Sequence, residues 1–214
     1  MSFPKASLLA ATYLLFCLLP RCARADLLSL GLFPDPTGLQ ASVRKEEIVG
    51  NNAWQVERVY LTAGTNKLAF IVPEGFRVDA SDPRRLIMSE INCTRFFTVR
   101  QIDSQPTLSR DLDLDYYRAL ALSRYPGGRI TGEFGAYACN HAGLGFDLEW
   151  INAGGVRECS RVEFVPLPVG VMEFRVITTP ADFKDSQTLL ISLLASLISN
   201  EHGPLVIVPV SDTT

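Results

Sequence analysis

Few residues in this chain could do chemistry. Cys139 and His141 stand two apart beside a Gly-rich turn, Asn140-His141-Ala142-Gly143. A thiol near an imidazole could serve a small hydrolase or isomerase, but no third group is evident to orient the base. Glu133, Asp147, Glu149, Glu163 and Glu173 fall at alternate positions of β-rich runs. Two such carboxylates facing one another could cleave a glycosidic bond. Arg161 and Arg175 fall in the same phase, so cross-strand ion pairs explain these acids more simply. Asp111, Asp113 and Asp115 alternate as calcium ligands do, yet Tyr116 and Leu122 stand where an EF-hand loop needs its glycine and its glutamate. No P-loop, G-x-S-x-G or H-E-x-x-H occurs, and Gly143-Leu144-Gly145 opens no helix. His202 fits a helix C-terminus better than a metal site. Asn92-Cys93-Thr94 matches the glycosylation sequon. The chain calls for no catalytic set, no cofactor and no metal.

The cysteines depend on the compartment. Lys5, the apolar run Ala6–Leu19, Pro20 and Ala23-Arg24-Ala25 are the three regions of a secretory signal peptide. Residues 1–25 are therefore expected to be removed near Ala25, taking Cys17 and Cys22 with them. An uncleaved leader would instead give a membrane-anchored envelope subunit. Cleavage leaves 17 basic and 23 acidic residues, a net charge of −6. That balance argues against nucleic acid and anionic lipid as partners. The mature chain has no run long enough to span a membrane. Cys93, Cys139 and Cys159 remain, an odd number. The expected meander puts a strand between Cys139 and Cys159, too far for a bridge between them. Cys93, in a turn, is the thiol placed to pair with Cys139 or Cys159.

Turn residues between β-rich runs predict strands over Trp54–Thr62, Lys67–Val72, Leu86–Ile91 and Arg95–Ile102. Residues 26–53 read as an N-terminal linker. Ser109–Tyr125 changes to helical period, with Leu112, Tyr116, Leu120 and Tyr125 on one stripe. Four strands follow as an antiparallel meander: Ile130–Cys139, Leu144–Asn152, Arg157–Val165 and Gly170–Thr178. Parity then assigns Phe134, Phe146, Phe164 and Phe174 to one buried face and the charged residues to a wet one. Thr179 is the expected N-cap of a last amphipathic helix, with Pro180 at its first position and Gly203-Pro204 as its stop. Leu205–Val210 is an edge strand or a docked tail. The fold class is α+β, an antiparallel meander sheet packed with two main helices.

The order of elements resembles a known family. A strand runs into Phe70-Ile71-Val72-Pro73-Glu74-Gly75-Phe76. Later, Gly145-Phe146-Asp147 begins a long hairpin. Met172-Glu173-Phe174-Arg175-Val176 then leads through Thr179-Pro180-Ala181-Asp182-Phe183 to the terminal helix. Over residues 54–204 this resembles the PsbP-like α/β/α sandwich of photosystem subunits and of exported bacterial proteins of the DcrB and LpqN type. The resemblance implies an exported, non-enzymatic adaptor or assembly protein of the cell envelope, with another envelope protein or a small ligand as partner. The family shares no catalytic set, so none is implied. The Trp54–Thr62 strand and the 205–214 tail depart from its pattern.

Overall fold

The computed structural model describes residues 39–48, 54–82, 85–103 and 114–200. The signal peptide, Asp111, Asp113, His202 and the 205–214 tail lie outside the described residues. In chain order the elements are β1 (Gln40–Ile48), β2 (Trp54–Ala63), β3 (Asn66–Ile71), β4 (Phe76–Asp82), β5 (Arg85–Glu90) and β6 (Phe96–Asp103). Then come α1 (Leu114–Ser123), β7 (Arg129–Ala138), β8 (His141–Ile151), β9 (Arg157–Leu167), β10 (Gly170–Thr178), α2 (Phe183–Ala195) and β11 (Ile198–Ser199). The fold is α+β, and the four-stranded meander is β7–β10. These strands join β4–β6 in a seven-stranded sheet of order β4-β5-β6-β10-β9-β8-β7. A second sheet has the order β1-β2-β3-β11.

Three elements differ from expectation. The 26–53 segment is not all linker: Gln40–Ile48 pairs antiparallel with β2 as an outer strand. Its Arg, Lys and Glu side chains are mostly solvated, so it lacks the apolar alternation that marks a half-buried strand. β4 is also unforeseen: Phe76, Val78 and Ala80 alternate with the solvent-facing Arg77, Asp79 and Ser81, but the run is short and lies between Pro73-Glu74-Gly75 and Pro83. The last helix begins at Phe183, not beside Thr179. Thr179 instead donates to Asp182 Oδ2 at 2.8 Å, closing a turn before the helix. That helix stops at Ala195, well before Gly203. Ser196 accepts the Ile71 amide on its hydroxyl at 3.2 Å, which draws the chain onto β3.

Both faces of the large sheet are covered. On one side α1 sets Tyr117, Leu120 and Ala121 against Phe146, Leu148, Val162 and Phe164. Tyr117 fills the place expected for Tyr116, which is 51% exposed. Tyr125, just past the helix, stacks on Trp150 at 3.9 Å between ring centroids. On the other side α2 and the small sheet pack Leu190, Leu193, Leu61 and Phe70 against Val99, Met172, Phe174 and Val176.

This arrangement corrects the single buried face. Two hairpins turn through two residues, at Cys139-Asn140 and Pro168-Val169, so Ala138 opposes His141 and Leu167 opposes Gly170. An odd sum of partners exchanges odd and even positions between faces. Phe174 therefore opposes Glu163, and Glu173 opposes Phe164. The expected wet face does not exist in the sheet centre: Glu163, Glu173 and Arg175 are all buried.

Gly170 makes the second turn possible. Its φ is +117°, and a Cβ there would lie 2.1 Å from the Asp103 carbonyl oxygen. Gly170→Ala is expected to cost about 2 kcal/mol, read from urea unfolding. A loss within error of zero would show that the β6–β10 junction relaxes freely.

Candidate functional site

A concavity lies between the outer strand β7 and helix α2. Its volume is about 550 Å³, and one wall is the unbroken run of residues 134–140. Ile191, Leu194, Ala195 and Leu197 form the opposite wall, and Arg161 and Glu163 come up from β9. Backbone geometry places this wall. Cys139 and Asn140 both have positive φ, 48° and 66°, which gives the tight hairpin that matches strand twist. Ala136 and Ala138 are small, and that leaves the gap under the helix open.

The floor is assembled around Gly145. A Cβ on Gly145 would stand 2.1 Å from the Phe134 ring, so only glycine lets that ring lie across β8. The Arg161 guanidinium then sits over Phe134, 4.0 Å from its centroid. Arg161 Nε and one terminal nitrogen donate to the two Asp147 oxygens, each at 2.8 Å. Gln187 of α2 also donates to Asp147, at 3.1 Å. Glu163 is different. It is 3% exposed and none of the described residues makes a side-chain hydrogen bond to it. Burial pushes its carboxyl up to about 7, against the pull of Arg161 and with a small push from Asp147.

A second charged cluster lies on the α1 face, under Tyr125. Arg124 donates to Glu173 Oε1 at 2.9 Å, and Arg175 stands 2.9 Å from the same oxygen. Arg175 also donates to the Tyr125 hydroxyl at 3.1 Å. Burial pulls the Arg124 guanidinium down to about 10. Burial pulls on Arg175 too, but Glu173 outweighs it and holds that group up. This cluster is closed to solvent and acts on stability.

The acids expected together are thus divided. Glu133 is on the α1 side, where it accepts from Arg118 at 2.8 Å. Glu149 accepts from Arg157 and Arg129, and those hydrogen bonds hold its carboxyl down. Asp147 is tied to Arg161. No two of these carboxylates form an open pair for glycoside chemistry. Cys139 lines the cleft, whereas His141 is not among its lining residues. Asp115, the one described member of the acidic triplet, pairs with Arg118 within α1.

Neither Cys139 nor Cys159 is in a disulfide, so the bond expected from Cys93 to one of them is not formed. Cys93 turns between β5 and β6, and β6 and β10 stand between it and Cys159 on β9. Two strand spacings are about 9.6 Å, beyond the ~7 Å reach of a bridge. Cys139 is at the far end of the sheet from Cys159, because Cys159 opposes Glu149 whereas Ala138 opposes His141. Among the described residues no three His, Cys, Asp or Glu side chains gather as metal ligands. No described helix is long and apolar enough to cross a membrane.

Sequence reading singled out Glu163 but missed its burial. The signal was available: Val165, Leu167, Val169 and Val171 make the other parity of β9 and β10 apolar too, as strands buried on both faces require.

No protein-family model and no curated protein matches the chain. Solved structures do. LpqN of Mycobacterium tuberculosis, involved in cell envelope biogenesis, is 12% identical over 82% of this chain and 95% of its own, with a TM-score of 0.43. The cyanobacterial PsbP (CyanoP) of Synechocystis sp. PCC 6803 is 10% identical over 79% and 98%, with a TM-score of 0.44. PA94 of Pseudomonas aeruginosa, a protein of unknown function, is 14% identical over 73% and 96%, with a TM-score of 0.40. These are the two kinds of protein the sequence resembles and one more, and the likeness is one of fold.

Proposed function

We propose that the chain is an exported, non-enzymatic binding protein that takes an extended segment of a partner protein along the outer edge of β7. One observation carries this reading: five consecutive residues of an edge strand, Phe134–Ala138, form one wall of a cleft together with the turn at Cys139-Asn140. β7 ends the sheet order, and among the described residues nothing pairs with its outer side. It is ten residues long, with no proline or lysine to guard the edge. Such an edge offers main-chain groups to an added strand, while the adjoining cleft takes alternate side chains. Export rests on the leader at residues 1–25. Ile191, 54% exposed, flanks the opening as an apolar contact.

The test is selection of random displayed peptides on the mature chain, followed by amide hydrogen exchange. Binders should slow exchange along Phe134–Ala138. Ile191→Glu, at an exposed helix position, should weaken them at least about tenfold, a change of ~1.4 kcal/mol. Binders that protect a different strand, or that ignore Ile191→Glu, would overturn the reading. Cys139 at the cleft wall is the observation that favours a hydrolase or isomerase instead. Cys139→Ser in the same assay separates the two, since strand addition does not need the thiol.

A further inference from the structure

We infer that the cleft is built for a lysine side chain, or another alkylammonium group, with Glu163 as its counter-charge. The inference takes from the strand-addition reading only the source of the lysine.

Glu163 is the odd carboxylate of its face. Asp147 is met by Arg161 and Gln187, and Glu149 by Arg129 and Arg157. Arg161 is the nearest cation to Glu163, but its Nε and one terminal nitrogen are committed to Asp147 and its plane to Phe134. A buried polar group without a partner is costly, and native interiors keep few of them. Glu163 is 3% exposed, none of the described residues makes a side-chain hydrogen bond to it, and what exposure it has is toward a cleft. The path above it is apolar, along Ile191, Leu194 and Leu197, with Ala136 and Ala138 leaving room. A four-carbon stem with a compact cationic head fits that sequence of surfaces. Lysine suits it better than arginine, whose planar fork seeks a carboxylate it can grip with two parallel bonds.

The charged groups facing Glu163 are Arg161 on its own strand and Asp147 on β8. β7 adds the titratable Tyr137 and Cys139, and the lining side chains of α2 are uncharged. An ammonium binds the ionised carboxyl, so its arrival expels a proton. Affinity should therefore rise with pH, about tenfold per unit below pH ~7, and level off above it.

The probes are n-pentylammonium and n-pentanol, titrated into the whole mature protein and followed on the Ile191 and Leu194 methyl resonances. At about pH 8 the amine should bind at least about tenfold more tightly than the alcohol. That preference should vanish in Glu163→Gln, and in the unaltered protein at about pH 5.5. The pH arm stands even if the variant does not fold. Equal binding of amine and alcohol, or a preference that survives Glu163→Gln, overturns the inference. The two readings fail separately. Peptides that protect β7 without amine preference leave strand addition standing and remove the lysine anchor. Amine preference without β7 protection does the reverse.

Discussion

Glu173→Gln is expected to lower the unfolding free energy by about 4 kcal/mol. Glu173 is fully buried and is the shared anion of Arg124 and Arg175, themselves 8% and 4% exposed. Taking away its charge leaves two guanidinium groups in a site from which water is excluded. The cluster is already short of partners: Glu173 Oε2, Arg124 Nε and Arg175 Nε make no hydrogen bond among the described residues. Replacing Glu173, Arg124 and Arg175 together by apolar side chains of similar volume should recover most of the loss, because no uncompensated charge remains. Equilibrium denaturation of the single and triple variants measures both effects. A single-variant loss under about 1 kcal/mol would mean that solvent reaches the arginines.

Glu163 should make the protein less stable as the solution becomes more alkaline. Its carboxyl titrates near 4.5 in the unfolded chain and is pushed up to about 7 by burial in the fold. Between those values the folded state holds a proton that the unfolded state has released. The stabilisation is complete below pH 4.5 and is lost as pH rises through 7. The span corresponds to about 3 kcal/mol. Glu133, Glu149 and Asp79 oppose this trend, because their hydrogen-bond partners hold their carboxyls down. The measurement is therefore a difference. Unfolding free energies of the unaltered protein and Glu163→Gln are followed from about pH 4 to about pH 8, and the gap should change by about 3 kcal/mol in favour of the variant. Parallel curves would show that the carboxyl is solvated in the fold.

The sequence makes the framework legible where local chemistry decides it. β2, β3, β5 and β6 and the four meander strands are bounded by turn residues, and each falls within a few positions of its expected place. β1 and β4 are sheet margins, each paired on one side only with the next strand in the chain, and much of each faces water, so neither carries the run of large apolar residues that marks a buried strand. The division of charges between faces depends on hairpin geometry. Two turns of two residues exchange the faces, and composition alone does not fix turn length. The cleft is less legible still. It joins Phe134–Asn140 to Glu163 and to Ile191–Leu197, and only the register of β7, β8 and β9 beneath α2 brings those segments together.

The seam between β6 and β10 has a consequence for assembly. β7–β10 are linked by short turns, and β4–β6 likewise, so each group is made of contacts close in sequence. The two groups meet along β10, where Gln101 reaches Val169 across 68 positions of chain. Closing that span carries an entropic toll, one that grows only as the logarithm of loop length. Until it closes, β10 offers Met172, Phe174 and Val176 beside an unpaired backbone. Growth from the N-terminus brings β4–β6 out first, so a docking template for β10 already exists when the last strand emerges.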